Sequence, residues 1–87
     1  MGEWNPTDRR YEKSIEDELL YMINHGTCRC YDRLFKGSVE DVKLNSDGTA
    51  DVSVYGVDEE DEKGHWHFVI KYDERGRITK VYNAHRK

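Results

Sequence analysis

The feature that most constrains the fold of this chain is a three-residue loop pattern that occurs twice. Ser46-Asp47-Gly48 and Glu74-Arg75-Gly76 each lie between two segments in which apolar and polar residues alternate. Loops of this length place a glycine in the left-handed conformation, and alternation with a period of two is typical of strands with one buried face. The pattern therefore predicts two β-hairpins. Their four strands are expected at about 39–45, 49–57, 65–72 and 77–83.

The loops also set the expected register within each hairpin. Asn45 is predicted to lie opposite Thr49, and Asp73 opposite Arg77, so that the even-numbered residues of all four strands share the buried face. The misfit is Lys80, which falls on that buried face. Either its ammonium snorkels to water at a sheet edge, or a bulge reverses the last strand.

The register between the two hairpins is less constrained, because the loop that joins them is long. Matching the strands centrally places Val54 opposite Phe68 and Asp51 opposite Lys71. Lys43 would then flank Asp51 on its other side, which predicts a row of alternating charges across three strands.

The segment before the hairpins predicts an amphipathic helix over about 6–24. Asn5 or Thr7 is expected to cap it, and Gly26 is expected to end it. Its apolar residues recur at three- and four-residue spacing, which places them on one stripe. They are Tyr11, Ile15, Leu19, Met22 and Ile23.

Residues 27–37 fit two patterns. Cys28, Cys30 and Asp32 alternate as a strand would, whereas Leu34 suits a short helical turn closed by Gly37. We favour a short helix or irregular segment here, although the window is too short for periodicity to decide.

These elements predict a single α+β domain over residues 1–87, in which an N-terminal amphipathic helix packs on a four-stranded antiparallel β-meander sheet. The 87-residue length allows one domain. A chain this small has a thin core, and one helix covers only one sheet face.

The odd-numbered strand residues would then form an outer face that is not purely polar. Tyr55, Val69 and Val81 make an apolar island on it, beside three histidines. An uncovered face with such an island is typical of self-association or of docking to a protein partner. The alternative is that residues 27–36 fold over it.

The histidines suggest a second use of the same face. His65 and His67 would point to one side of a strand, and the predicted register places His85 across from His65, a spacing that suits a zinc ion held by three imidazoles. His25, Cys28 and Cys30 offer another possible zinc-ligand set. Both patterns are common in proteins that bind no metal, so the principal expectation is that the protein has no cofactor.

Charge is unevenly distributed along the chain. Nine acidic residues and one basic residue lie between positions 40 and 62, whereas seven basic and two acidic residues lie between 63 and 87. The sequence thus predicts a bipolar surface with an acidic loop at 58–62, which could pair head to tail or contact a basic surface. The acidic loop residues are Asp58, Glu59, Glu60, Asp61 and Glu62. The overall pI of about 5.5 argues against a dedicated nucleic-acid-binding protein.

No catalytic motif is recognisable, and neither a signal-peptide layout nor an apolar run of membrane-spanning length occurs in the sequence. We therefore expect a cytoplasmic, non-enzymatic interaction or accessory protein, of the kind found in bacteria, phages or mobile elements. It would act through its outer sheet face and acidic loop and form a homodimer. The alternative is a small-ligand or metal-binding domain that uses the histidine cluster or a helix–sheet pocket. Tyr11, Met22, Trp66 and Phe68 would line that pocket.

Overall fold

The computed structural model describes residues 4–25 and 31–87. It contains one helix and four strands, and the predicted α+β fold is confirmed. The sheet is antiparallel, with its strands in chain order. The elements are α1 (Arg10–His25), β1 (Leu34–Leu44), β2 (Thr49–Asp58), β3 (Lys63–Tyr72) and β4 (Ile78–Arg86). No helix in the described part of the chain has the length and apolar character needed to cross a membrane.

Helix α1 begins later than predicted, because a different residue caps it. The carboxylate of Asp8 accepts a hydrogen bond from the backbone N–H of Arg10 at 3.0 Å, which is the bond an N-cap side chain makes. Asn5 instead accepts a bond from the Thr7 hydroxyl within the preceding turn. The predicted stop at Gly26 lies outside the described residues.

Strand β1 begins five residues earlier than expected, at Leu34, so the preference for a short helix or irregular segment up to Gly37 is wrong for residues 34–37. Leu34 is only 1% exposed and pairs with Asp58. Because of this pair, β1 extends along the full length of β2. Residues 31–33 form a turn, and residues 26–30, with both cysteines, lie outside the described part. The stabilisation gained by burying Leu34 against the sheet outweighs the helical preference that the local spacing of apolar residues indicates.

The two loops with glycine behave as predicted. Gly48 and Gly76 have φ values of 85° and 76°, and Leu44 pairs with Ala50 while Tyr72 pairs with Ile78. The hairpin registers next to these loops are therefore confirmed.

Farther from the loops, four single-residue shifts change the pairing. In β1 the extra residues are Phe35 and Glu40, so that Val39 pairs with Val54, whereas the predicted register extends to Glu40 opposite Val54. In β4 the extra residues are Thr79 and Tyr82. The bulge at Thr79 turns Lys80 outward and Val81 inward, which was one of the two outcomes that Lys80 predicted, and the bulge at Tyr82 restores the predicted faces from Asn83 onward.

The register between β2 and β3 differs from the predicted one by two residues. Val54 pairs with Trp66 rather than Phe68, and Asp51 pairs with Val69 rather than Lys71. A shift of two keeps every side chain on its predicted face, but it removes the predicted Lys–Asp–Lys row.

The core lies between α1 and the inner face of the sheet. Its members are almost fully shielded from water, with exposures of 0–1%. They are Ile15, Leu19, Ile23, Leu34, Ala50, Val52, Val54, Trp66, Phe68, Ile70 and Tyr72. The even-numbered residues of β2 and β3 thus form the buried face, as the alternation predicted.

One edge of the sheet is closed by a side chain of the helix. The Asn24 amide donates to the carbonyl of Gly37 at 3.1 Å and accepts from its N–H at 3.2 Å, so it occupies both backbone groups that β1 presents at this position. A strand from another molecule would need the same groups to extend the sheet. Asn24 therefore protects the β1 edge at its middle.

The end of the sheet at the β2–β3 turn is held by an ion pair. Asp58 is 4% exposed and accepts hydrogen bonds from the N–H groups of Glu60 and Glu62 and, at 2.8 Å, from Arg86. The Arg86 guanidinium lies 4.9 Å from the centre of the Trp66 ring. This pair ties the turn to the end of β4.

Removing the charge of Asp58 should make stability less dependent on pH. The pKa of its carboxyl is held below its usual value chiefly by the Glu62 N–H, with further contributions from Arg86 and Glu60 that oppose the effect of burial. A carboxyl whose pKa is lowered on folding stabilises the folded state above the unfolded pKa of about 3.9, and that contribution is lost as pH falls through the folded-state pKa.

We therefore expect Asp58→Asn to lower the thermal midpoint at pH 7 by on the order of 10 °C, and the difference from the unsubstituted protein to shrink as pH falls from about 5 to 3. Thermal unfolding followed by circular dichroism at three pH values measures this. Asp61→Asn is the matched control, because Asp61 is exposed and its positive φ of 66° suits asparagine. Equal midpoints for Asp58→Asn and the unsubstituted protein at pH 7 would contradict the assigned role.

Candidate functional site

The candidate site is the outer sheet face, which is the side of the sheet opposite α1. Of the segment that could have covered it, only residues 31–36 are described. Tyr31 packs against Phe68, with ring centres 5.3 Å apart, and Leu34 joins the core. The described part of residues 27–36 thus lies on the helix side, and no described element crosses the outer face.

The predicted apolar island is smaller than expected. Tyr55 is 38% exposed and Val69 is half-buried between its neighbours on adjacent strands. Val81, however, pairs with Ile70 and packs against the core, because the bulge at Thr79 shifts β4 by one residue. Val81 therefore does not belong to the outer face.

A carboxylate from the edge strand reaches across this face to a histidine two strands away. The Glu40 carboxylate lies 3.0 Å from Nδ1 of His65, and both side chains are about half exposed. The bulge at Glu40 makes this possible, since it frees that residue from the buried position the uninterrupted register predicts. The His65 ring also packs against the Tyr55 ring at a tilt of 55°, with ring centres 5.0 Å apart.

A second carboxylate–imidazole pair lies beside the first. Asp51 Oδ1 is 3.0 Å from Nε2 of His67, and Asp51 Oδ2 accepts a hydrogen bond of 3.0 Å from the Asn45 amide. The Asn45 bond is the main reason that the pKa of the Asp51 carboxyl is lowered, followed by the bond to His67 and the nearby charges of His67 and Lys43, while burial acts against them. Asp51 is therefore an anion with fixed partners on both sides.

The structure places the three histidines differently from the predicted zinc cluster. His85 pairs with His67 rather than His65, and the rings of His67 and His85 meet edge to face at 5.4 Å. His65 is held away from them by Glu40. Within residues 4–25 and 31–87, no three His, Cys, Asp or Glu side chains are placed to hold a metal ion. The alternative set of His25, Cys28 and Cys30 falls partly outside the described residues.

The acidic loop is a tight turn rather than an open loop. Asp58, which the sequence assigns to the interaction surface, lies inside the turn and is bound to Arg86, so its side chain is buried. The remaining four acids are exposed, and among the described residues only Glu60 of these four makes an ion pair, at 3.1 Å to Arg33. We refer to residues 59–62 as the acidic turn.

Sequence reasoning missed a pair of lysines on the outer face. Lys71 and Lys80 pair directly across β3 and β4, and both are exposed. No carboxylate of the described residues lies within 4.0 Å of either ammonium, and Lys80 Nζ lies 4.8 Å from the centre of the Tyr82 ring. The sequence pointed to this pair only through the misfit of Lys80 on the buried face, because the bulge at Thr79 that moves Lys80 outward creates the pair.

The predicted helix–sheet pocket is filled. Trp66 and Phe68 are fully buried, so their rings form core and line no opening. Two shallow grooves adjoin α1 at its outer sides. The first, of about 310 Å³, runs along β1, and the second, of about 550 Å³, lies beside Met22 and Arg77.

The outer face therefore offers fixed charges, two apolar side chains and a pair of lysines that form no ion pair with any described residue. No protein family, curated protein or solved structure matches the chain.

The amide of Asn45 should control the ionisation of the Asp51 carboxyl on the outer face. In Asn45→Ala we expect the pKa of the Asp51 carboxyl to rise toward its usual value, because the largest cause of its lowering is removed. An NMR titration of the carboxyl carbons measures this pKa. Asn83→Ala is the control, since Asn83 is exposed on the same face and forms no hydrogen bond to Asp51. An unchanged Asp51 pKa in Asn45→Ala would refute the assignment.

Proposed function

We propose that this protein is a small, non-enzymatic interaction protein that self-associates through its outer sheet face. The observation that carries the proposal is the contrast between the two faces. The inner face is closed by α1 and buries its aromatic residues completely, whereas the outer face presents Tyr55 and Val69 and is crossed by no described element. On a chain this small, such a face is best explained as a contact surface.

The fixed polar side chains around the apolar pair support binding. Glu40 holds His65, and His65 in turn packs on Tyr55, so the exposed tyrosine is supported on one side. Asp51 and His67 hold each other beside Val69. A surface whose side chains are already ordered loses less conformational entropy on association than a mobile one.

The same contacts favour binding over catalysis. Each outer-face carboxylate that touches an imidazole is engaged by a partner on another strand, which gives a rigid surface rather than a cleft around a reacting atom. The two grooves beside α1 are open and shallow, and the outer-face histidines line neither of them. We therefore place the function at the sheet face.

A charge at the centre of this face should prevent association. We expect Tyr55→Glu and Val69→Glu each to weaken self-association by at least about 100-fold, because each substitution buries an unpaired carboxylate twice in a symmetric dimer. Sedimentation equilibrium across a wide concentration range measures the association, and circular dichroism verifies that the fold is retained.

Tyr21→Glu is the matched control, since Tyr21 is 67% exposed on the helix, away from the sheet face. It should associate as the unsubstituted protein does. A monomer at the highest accessible concentration of the unsubstituted protein would overturn self-association, and equal effects of all three substitutions would overturn the choice of face.

A further inference from the structure

We infer that the outer face binds single-stranded nucleic acid along β3 and β4, with its phosphates on lysines and its bases on exposed rings. This inference goes beyond self-association, because it assigns the face a ligand of a different class. The two occupants would exclude each other, since both need the same face. The inference rests on how the lysines, the acidic residues and the exposed rings are distributed over the sheet.

Six of the seven lysines of the chain belong to the outer face, although the chain as a whole carries a net charge of −4. Each is exposed, and each either occupies an outer-face strand position or, in the case of the last one, continues the pairing of β4 with β3 through its N–H. None of them forms an ion pair with a described residue. The overall pI of about 5.5 therefore does not describe the charge of this face. The six residues are Lys36, Lys43, Lys63, Lys71, Lys80 and Lys87.

The half of the face that β3 and β4 form is free of acidic residues. Neither strand contains an aspartate or a glutamate, whereas together they carry three lysines, three histidines and one arginine. The three carboxylates that the described residues place on the face belong to β1 and β2. Glu40 and Asp51 already contact imidazoles, and Asp41 lies on the edge strand β1. The acidic turn lies between the ends of β2 and β3, so β3 and β4 form a positive stripe that attracts a polyanion.

The lysine pair shows what this stripe costs without a ligand. Lys71 and Lys80 lie directly opposite each other, and like charges in that position destabilise a sheet. The nearby Asp47 has its pKa lowered chiefly by the Thr49 hydroxyl, at 2.6 Å, and only in smaller part by Lys71, with which it forms no ion pair within 4.0 Å. A phosphate that contacts both ammonium groups would offset their repulsion.

Exposed rings on the same face favour a single strand over other polyanions. Tyr55 is 38% and Tyr82 is 49% exposed, and Lys80 Nζ lies 4.8 Å from the centre of the Tyr82 ring, so a ring and an ammonium are presented together. Unpaired bases stack on such rings while lysines beside them contact the phosphates. An acidic protein would use the lysines alone. A membrane surface would need exposed aliphatic residues, whereas Val57 and Val69 are only partly exposed.

The stripe is long enough for a short oligonucleotide. Lys63 and Lys71 are eight positions apart, which is about 27 Å along a strand. Sheets that bind single strands contact about four or more nucleotides. We therefore expect lysines at both ends of the stripe to contact one strand of nucleic acid.

Removal of the lysine pair tests the phosphate contacts. We expect Lys71→Ala with Lys80→Ala to weaken the binding of a fluorescein-labelled oligothymidine of about 12 nucleotides by at least about tenfold at low salt. The slope of log affinity against log salt concentration should become less steep by about 1.4, since each lost phosphate contact with a single strand contributes about 0.7. Fluorescence anisotropy measures both quantities, and circular dichroism verifies the fold.

The matched control is Arg9→Ala with Lys13→Ala, which removes the same charge from the helix side of the protein. It should leave both the affinity and the salt slope unchanged.

Tyr82→Leu tests the stacking contact separately. We expect it to weaken binding by at least about fivefold, because a base loses its aromatic partner. The salt slope should stay the same, since no charge is removed. A duplex of the same length should bind more weakly than the single strand, because its bases are not free to stack.

Weaker binding by both outer-face variants, with none lost in the control, would support the inference. Absence of oligothymidine binding at low salt, equal weakening in the control, or equal affinity for the duplex would overturn it. Equal affinity for an oligoglutamate of the same charge, or binding to phosphatidylserine vesicles alone, would overturn the choice of nucleic acid.

Sedimentation of the unsubstituted protein with and without the oligothymidine separates this inference from the proposed function. A monomer that binds the oligothymidine would overturn self-association and support nucleic-acid binding. A dimer that does not bind it would do the reverse.

Discussion

The structure depends on one constraint, which is that a single helix of 16 residues must close one whole face of a four-stranded sheet. The chain meets it by placing its largest aromatic residues under the helix, where Trp66 and Phe68 have no exposure. The N-terminal segment extends this cover, because the Tyr72 hydroxyl donates to the carbonyl of Pro6 and the Trp4 ring meets Tyr72 at 5.8 Å. No described element covers the opposite face. This uncovered face is the candidate functional site.

The charged side chains of the outer face owe their positions to the bulges in β1 and β4. Each bulge moves a side chain from the place that strict alternation would give it. The bulge at Glu40 lets a carboxylate reach His65, and the bulge at Thr79 brings Lys80 opposite Lys71. In a sheet without bulges, the side chains of Glu40 and Lys80 would both lie on the buried face. The irregular positions are therefore the ones that build the candidate site, as is common for bulges.

Much of the fold was predictable because it depends on local rules. The glycines at 48 and 76 fixed two turns, and the period of two assigned Val52 and Ile70 to the buried face. The candidate site was less predictable. Tyr55 and Val69 lie on the predicted face, whereas a bulge turns Val81 inward. Asp58, which the sequence assigns to the acidic loop of the interaction surface, is buried by its ion pair with Arg86. The misfit of Lys80 was a local sign of the bulge, but the neighbouring sequence carries no sign of the ion pair.

The sequence by itself thus determined the element types, the hairpin turns and the face to which the strand residues of β2 and β3 belong, since these depend on backbone preferences and on spacing along the chain. The tertiary structure decided the pairing of β2 with β3, the bulges and the partners of each charge. These depend on contacts between distant residues, such as Asp58 with Arg86 and Glu40 with His65, whose separations along the chain are 28 and 25 residues. Local sequence carries no information about such pairs, because their energies exist only once the sheet has formed.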